Sequence, residues 1–325
     1  MSVLLTHFWT DNGGGHHGVR LFFVISGFLI TGVLIRLDDA GPRGLARKFQ
    51  TFYVRRCLRI WPAYYLCLAI AALIDLDGIR PSLIWHAAFL SNFWFLREGQ
   101  WIPHCAAHLW TLSVEEQFYL FWPVIVLTVR RSRLPIVLAA GIAMAVATRA
   151  LVWSPTAPFA DIVTPASFDA LGLGGLLAVA KHRGLAHRIP GRALWAAAIL
   201  AVGAGLLLSF LAPPMVRFIF VDLVLAVAFA ALVAAADRGI GGPIGRMLEA
   251  WPVVSLGRIS YGIYLFHLLL LSLVVNLARA RGVAVHGGPM LFAGMTALTV
   301  LVSAASWLLV ERPFATLKRG YPYRA

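Results

Sequence analysis

Apolar and polar positions along the chain alternate in blocks rather than singly. Apolar runs fall near residues 1–9, 19–36, 60–75, 83–97, 112–129, 134–153, 167–180, 193–212, 216–236, 252–278 and 289–310. Most approach the length of about 20 residues that a helix needs to cross a hydrocarbon core of about 30 Å. The pattern therefore predicts a series of transmembrane helices. Basic stretches at Arg36–Arg59, Arg130–Arg133, Lys181–Arg192, Arg238–Arg246 and Arg312–Arg324 separate the runs and mark the loops expected on the cytoplasmic side.

Parity then tests each run. Segment 19–36 exits into the cytoplasm, 60–75 returns outward, and the run ending at Arg130 comes inward again, so the loop before His108 is external. Segment 83–97 thus begins and ends outside; at about fifteen residues it is short for a span and is expected to be re-entrant or interfacial. About ten crossings remain, with both termini cytoplasmic. The first run is too short: Met1 to Trp9 covers only ~12 Å as a helix, and the expectation is that an amino-terminal half-helix is missing.

Composition agrees with this picture. Hydrophobic residues make up 60% of the chain and charged residues 13%, with a mean hydropathy of +0.80; an ordinary soluble domain carries about a quarter charged residues. The fold class expected is all-α, a polytopic membrane helical bundle forming a single membrane-embedded domain over residues 1–325. The net charge of +14 does not indicate a nucleic-acid partner, because the cations are distributed among the inter-span loops. Cys57, Cys67 and Cys105 form no CxxC and read as small apolar fillers or a lone loop thiol. No charged region precedes the first apolar residues, so no cleavable signal peptide is expected.

Against this background a few polar residues stand out. His7, in SVLLTHFW, lies just before the outer loop that starts at Thr10. Desolvation at that depth keeps an imidazole neutral and suited to general-base work, with an adjacent carboxylate to orient its second nitrogen; a packed helix-end histidine bonded to a carbonyl is the plain alternative. In HLWTLSVEEQFYLFWP, Ser113 and Glu116 fit a capping box. That leaves Glu115, one helical turn before Tyr119, without a structural explanation. RRCLR places Arg55 and Arg59 at i, i+4 and Arg56 and Arg59 at i, i+3. It reads as a juxtamembrane anchor beside Trp61, Tyr64 and Tyr65, and also as a phosphate clamp.

His267, in SYGIYLFHLLLL, lies well inside its run with Tyr261 and Tyr264 at helical spacings. His16, His17, His104 and His108 are expected outside. His104 and His108 are i, i+4, but without an HExxH or a firm helix no metal is expected there. The small residues of SGFLITG, Ser26 to Gly32, suit close helix packing. Asp169 and Asp222 fall within spans and must face the bundle interior. Together these features outline a cytoplasmic phosphate-recognising patch, an outward-side histidine and carboxylate, and a helical bundle between them.

The stretches GVRLFFVISGFLITGVL (18–34), FYVRRCLRIWPAYYL (52–66), HLWTLSVEEQFYLFWP (108–123), LGRISYGIYLFH (256–267) and ERPF (311–314) run from one end of the chain to the other. In them the chain resembles the acyltransferase-3 family, polytopic membrane enzymes that O-acylate sugars and other hydroxylated molecules, mostly in bacteria. The resemblance implies acyl-CoA, most often acetyl-CoA, as donor. It implies that His7 is the family's histidine, that Arg56 and Arg59 are its RxxR pair facing the CoA phosphates, and that Glu115 is the acid of its EEQFY phrase. Two positions depart from the pattern. The arginine that the family pairs with its histidine would fall before Met1, and Arg20 stands where the second span usually carries an acid in GVDLFF.

The sequence thus leads to an integral-membrane O-acyltransferase of the bacterial cytoplasmic membrane. It would move an acyl group, in the first place acetyl, from acyl-CoA to a hydroxyl of a carbohydrate or other cell-envelope acceptor. The expected residues are His7 and Glu115 in catalysis, Arg55, Arg56 and Arg59 on the donor, and Ser26, His108, Tyr119 and His267 on the acceptor. A transporter or flippase is the alternative; it predicts paired broken helices and a repeat relating two halves, which the sequence does not display. A catalytically impaired relative kept as a binding scaffold is a third reading, suggested by Arg20 and by the absent arginine partner of His7.

Overall fold

A computed structural model describes residues 2–9, 14–41, 44–155 and 159–323; Met1, Thr10 and Arg324, which figure in the expectations above, lie outside the described residues. The regular structure is helical: α1 (Ser2–Phe8), α2 (Gly14–Asp39), α3 (Leu45–Leu73), α4 (Leu83–Ala87), α5 (Ser91–Glu98), α6 (Leu109–Thr128), α7 (Leu134–Val152), α8 (Phe168–His182), α9 (Gly191–Leu211), α10 (Pro214–Asp237), α11 (Gly242–Glu249), α12 (Trp251–Arg258), α13 (Ser260–Arg279), α14 (Pro289–Ser306) and α15 (Arg312–Leu317). Prolines at the first positions of α7, α10 and α14 start those helices at no loss of a hydrogen bond. Gly184 and Gly239, at φ of 69° and 89°, turn the chain out of α8 and α10.

Among the described residues, seven helices are long and apolar enough to cross a membrane: α2, α3, α7, α9, α10, α13 and the continuous run Pro289–Gly320 that α14 begins. The molecule is therefore an all-α, multi-pass membrane bundle. The other three runs counted as crossings fall outside that set, for reasons of length or charge. Helix α1 has 7 residues and α8 has 15, whereas α6, with 20, carries Glu115, Glu116 and Gln117 at its middle.

The helices form two compact units. One holds residues 1–16, 42–113 and 243–325, the other 17–41 and 114–242. In the first, α13 packs on α3 and α14, and α1 leans on α13 and α14. Its core gathers Leu4, Phe8, Tyr64, Leu68, Leu109, Leu112, Leu265 and Met295. In the second, α9 pairs with α10, and α8 packs on α7 and α10. Helices α2 and α8 meet backbone to backbone: a Cβ on Gly27 would land 2.0 Å from the Leu171 carbonyl oxygen, and one on Gly174 would land 2.0 Å from that of Val24. The small residues expected as a packing surface are such a surface, because lipid offers no hydrophobic drive and association depends on close van der Waals approach.

Segment 83–97 is two short helices, α4 and α5, with Phe89 between them at φ 54°. Irregular backbone of this kind survives at membrane depth only when protein surrounds it. Here His86 is fully buried, its ring bonded to Ser91 Oγ at 2.8 Å and Ser82 Oγ at 3.1 Å, while the Tyr64 hydroxyl donates to its carbonyl at 2.7 Å. One expectation fails nearby. Helix α6 starts at Leu109, so Ser113 cannot cap it; Ser113 Oγ donates to the Leu109 carbonyl at 3.1 Å and accepts the Ser91 N–H at 3.0 Å. Burial of Leu109 and Leu112, and the Thr111 hydroxyl bond to the His108 carbonyl, carry the helix one turn further back than the capping motif implied.

Candidate functional site

Within the first unit three imidazoles and a phenol gather where α1 ends and α13 passes. His7, on the last turn of α1, has its ring centroid 5.3 Å from that of His267. His267 lies 4.8 Å from His108 and 5.5 Å from Tyr264. The end of α1 is held in place by the Gly288 N–H, which donates to the Phe8 carbonyl at 3.3 Å. The Tyr264 hydroxyl bonds Thr111 Oγ1 at 2.6 Å and the His108 carbonyl at 3.2 Å.

Carbonyl partners fix two of the tautomers, since a ring nitrogen facing a carbonyl oxygen must carry the proton. His267 Nδ1–H donates to the Tyr264 carbonyl at 2.5 Å, and His108 Nε2–H donates to the Leu265 carbonyl at 2.9 Å. The opposite nitrogens, His267 Nε2 and His108 Nδ1, have no hydrogen-bond partner among the described residues. In the segments outside the spanning helices, burial pushes His108 down to about 3 and His86 down to about 4, so both rings are neutral at pH 7. His104 is exposed while His108 is buried, so this i, i+4 pair does not converge on one point.

Toward the other end of α13 the same unit encloses a cavity of about 250 Å³, lined by Arg59, Arg258, Tyr261, Trp307, Glu311 and Lys318. A turn of π-helix at Trp307–Glu311 links α14 to α15 and aims Glu311 inward, where it is buried and accepts the Ser306 hydroxyl at 3.4 Å. Single π-turns of this kind are frequent at functional sites. Arg55, Arg56 and Arg59 all lie within Coulombic range of Lys318, so cations outnumber the one carboxylate at this wall. Arg55 donates to the Lys318 and Tyr321 carbonyls, both at 2.9 Å, and covers the Tyr323 ring at 4.1 Å. Tyr261, which donates to the Ile60 carbonyl at 2.9 Å, ties α13 to α3 at this level.

The second unit holds the remaining candidates. Tyr119 donates to Glu115 Oε1 at 2.7 Å and bonds Ser26 Oγ at 2.7 Å, and all three side chains are buried. The structure thus joins Ser26, Tyr119 and Glu115 in one chain of hydrogen bonds. Arg20 is not left alone in its span. It pairs with Asp169, approaches Asp222 at 3.7 Å, and shares Asp169 with Arg149, whose Nη2 lies 2.7 Å from Oδ2.

Arg258 and Glu311 fall inside the stretches LGRISYGIYLFH and ERPF that carry the resemblance but received no role there, and Lys318 reads as one more cation of a basic loop. Arg149 was findable: a cation inside one apolar run, followed by Asp169 inside the next, signals an intramembrane pair.

The family model described as an acyltransferase domain matches residues 2–308, nearly the whole chain. A Bacillus subtilis (strain 168) protein named "Putative peptidoglycan O-acetyltransferase YrhL" is 27% identical over 348 aligned positions, covering 97% of this chain and 53% of that protein. The peptidoglycan O-acetyltransferase OatA of Listeria monocytogenes is 25% identical over 335 positions, covering 95% of this chain and 52% of its own. The chain spans about half the length of these two curated relatives. No solved structure matches it.

Proposed function

The chain belongs to the acyltransferase-3 family, and on that premise we propose that it transfers an acetyl group from acetyl-CoA to a hydroxyl of a cell-envelope carbohydrate. It acts in the bacterial cytoplasmic membrane with both termini on the cytoplasmic side, as the basic loops indicate. The relatives named for peptidoglycan acetylation support a polymeric carbohydrate as acceptor.

The observation that carries this reading is the arrangement on α13. Ser260 and Tyr261 line the basic cavity, and His267, beside His7, stands six residues further along the same helix. At 1.5 Å per residue that is ~9 Å, well inside the ~30 Å of hydrocarbon. A donor whose phosphates sit on Arg56 and Arg59 therefore has only a short intramembrane path for its acyl arm. Arg258 and Lys318 complete the phosphate wall, and Arg55 holds the carboxy-terminal segment that carries Lys318.

In the transfer step His7 takes the proton from the acceptor hydroxyl as its oxygen attacks the thioester carbonyl. The O–H bond breaks and a C–O bond forms; the C–S bond then breaks, and the departing thiolate recovers the proton from His7. Excluding water from this depth protects the thioester from hydrolysis. On the resemblance alone we keep Glu115, with the Tyr119 and Ser26 hydroxyls that it is chained to, as the family's functional acid in the second unit, and assign His108 to the acceptor side. Membranes from cells producing the chain should acetylate peptidoglycan-derived glycans from acetyl-CoA, read by mass spectrometry as an added acetyl increment. His7→Ala at normal expression should abolish the increment. Wild-type turnover by that variant would remove His7 from the mechanism.

A further inference from the structure

His267 is held in a single tautomer by its own helix, with Nδ1–H on the Tyr264 carbonyl one turn back. Its Nε2 lone pair is buried and has no hydrogen-bond partner among the described residues. An acceptor left in that condition within a packed interior is disfavoured unless a donor arrives during function. The ring neighbour on one side is His108, edge-on at 4.8 Å, itself locked by Leu265; on the other side is His7 at 5.3 Å. Two five-membered rings joined nitrogen to nitrogen by one hydrogen bond have centroids about this far apart, within a rotation of the exposed His7 side chain.

We propose that His267 is the positioning residue of His7. Its Nε2 accepts the N–H of His7, which turns the opposite His7 nitrogen toward the acceptor hydroxyl. When that hydroxyl gives up its proton, His7 becomes an imidazolium and its bond to His267 becomes charge-assisted. His267 stays neutral throughout, and the proton leaves His7 for the thiolate. A carboxylate in this place would add a charge to a buried, apolar surrounding of Leu4, Phe8, Phe266 and Leu269; a neutral imidazole orients the base without it. His108 packs behind His267 and keeps its ring from turning away. This assignment rests on His7 as the base.

Acetyl transfer from acetyl-CoA to peptidoglycan-derived glycans is measured in membranes for His7→Ala, His267→Leu, His267→Gln and the double variant His7→Ala/His267→Leu. Each variant is checked for monodispersity after detergent extraction. His267→Leu should lower kcat about 100-fold with the KM for acetyl-CoA unchanged. His267→Gln, whose amide oxygen reaches near the Nε2 position, should recover at least about tenfold of that loss, and the double variant should be no slower than His7→Ala alone. An inactive His7→Ala beside a His267→Leu with wild-type kcat overturns the positioning role and leaves the base intact. Active His7→Ala overturns both. A raised KM at constant kcat for His267→Leu, or a monodisperse but unrescued His267→Gln, also overturns the proposal. If His267→Leu does not extract as a monodisperse species, the Gln variant decides.

Discussion

Replacing Arg20 by methionine tests the reading of the ion network in the second unit. Arg20 and Asp169 are 3% and 0% exposed, Arg149 shares Asp169, Asp222 approaches Arg20 at 3.7 Å, and Asp161 lies within weaker Coulombic range. Methionine preserves most of the volume and removes a cation that faces both Asp169 and Asp222. Deleting one partner of a buried pair typically costs 3–5 kcal/mol, because the remaining charge is left incompletely compensated. For a protein of this size that corresponds to a fall of roughly 4–7 °C in the unfolding midpoint. Arg20→Asp, which restores the acid usual in the family, should be worse, since it sets a third carboxylate beside Asp169 and Asp222. Arg20→Met/Asp222→Asn should recover much of the loss by bringing the charges back toward balance around Arg149 and Asp169. The assay is thermal unfolding of the detergent-extracted protein followed by tryptophan fluorescence and by size-exclusion recovery. A midpoint for Arg20→Met within a degree of wild type would refute the network as a stabilising element. A double variant no better than the single would refute the compensation by Asp222.

Three further outcomes follow from other parts of the fold. Gly174→Ala would set a methyl 2.0 Å from the Val24 carbonyl oxygen and force α2 away from α8, costing about 1–3 kcal/mol, whereas Gly203→Ala, whose methyl would meet nothing within 4 Å beyond its own helix, should hold or slightly raise the unfolding midpoint. Arg258→Ala and Lys318→Ala should each raise the KM for acetyl-CoA roughly tenfold at constant kcat, as expected for loss of one charge-assisted contact; unchanged KM values would remove both from the donor site. Because the folded value of His86 is about 4 against an ordinary 6.5, its contribution to stability is complete above pH 6.5 and declines as pH falls toward 4, by at most about 3 kcal/mol. His86→Gln should therefore reduce the difference in unfolding midpoint between pH 7 and pH 5 by the share that His86 contributes.

The helices were legible because transfer into hydrocarbon is a local property. Each run of about 20 apolar residues carries its own favourable energy, whatever its neighbours. The same reasoning set segment 83–97 apart by its length, and the chain there forms two short helices, α4 and α5. The glycines of SGFLITG announced close packing but not their partner; only the fold identifies α8, through Leu171 and Gly174. The capping motif at Ser113 misled because a motif reports what a residue can bond locally, while the burial of Leu109 and Leu112 decided where α6 begins.

What the sequence determined by itself was the class of molecule, the places of its long apolar helices, and which residue types were costly enough at depth to require a reason. It named His7, His108 and His267 singly and could not say that they meet. That meeting joins positions on α1, before α6 and on α13; the bond from His108 to Leu265 spans 157 residues, and that from Arg55 to Lys318 spans 263. The pairing of Arg20 with Asp169, 149 residues away, likewise turned an apparent anomaly into a compensated charge. Such pairings were decided only by the tertiary structure, because a buried polar group is stabilised by whichever complementary atom packing brings to it, and separation along the chain carries no record of that choice.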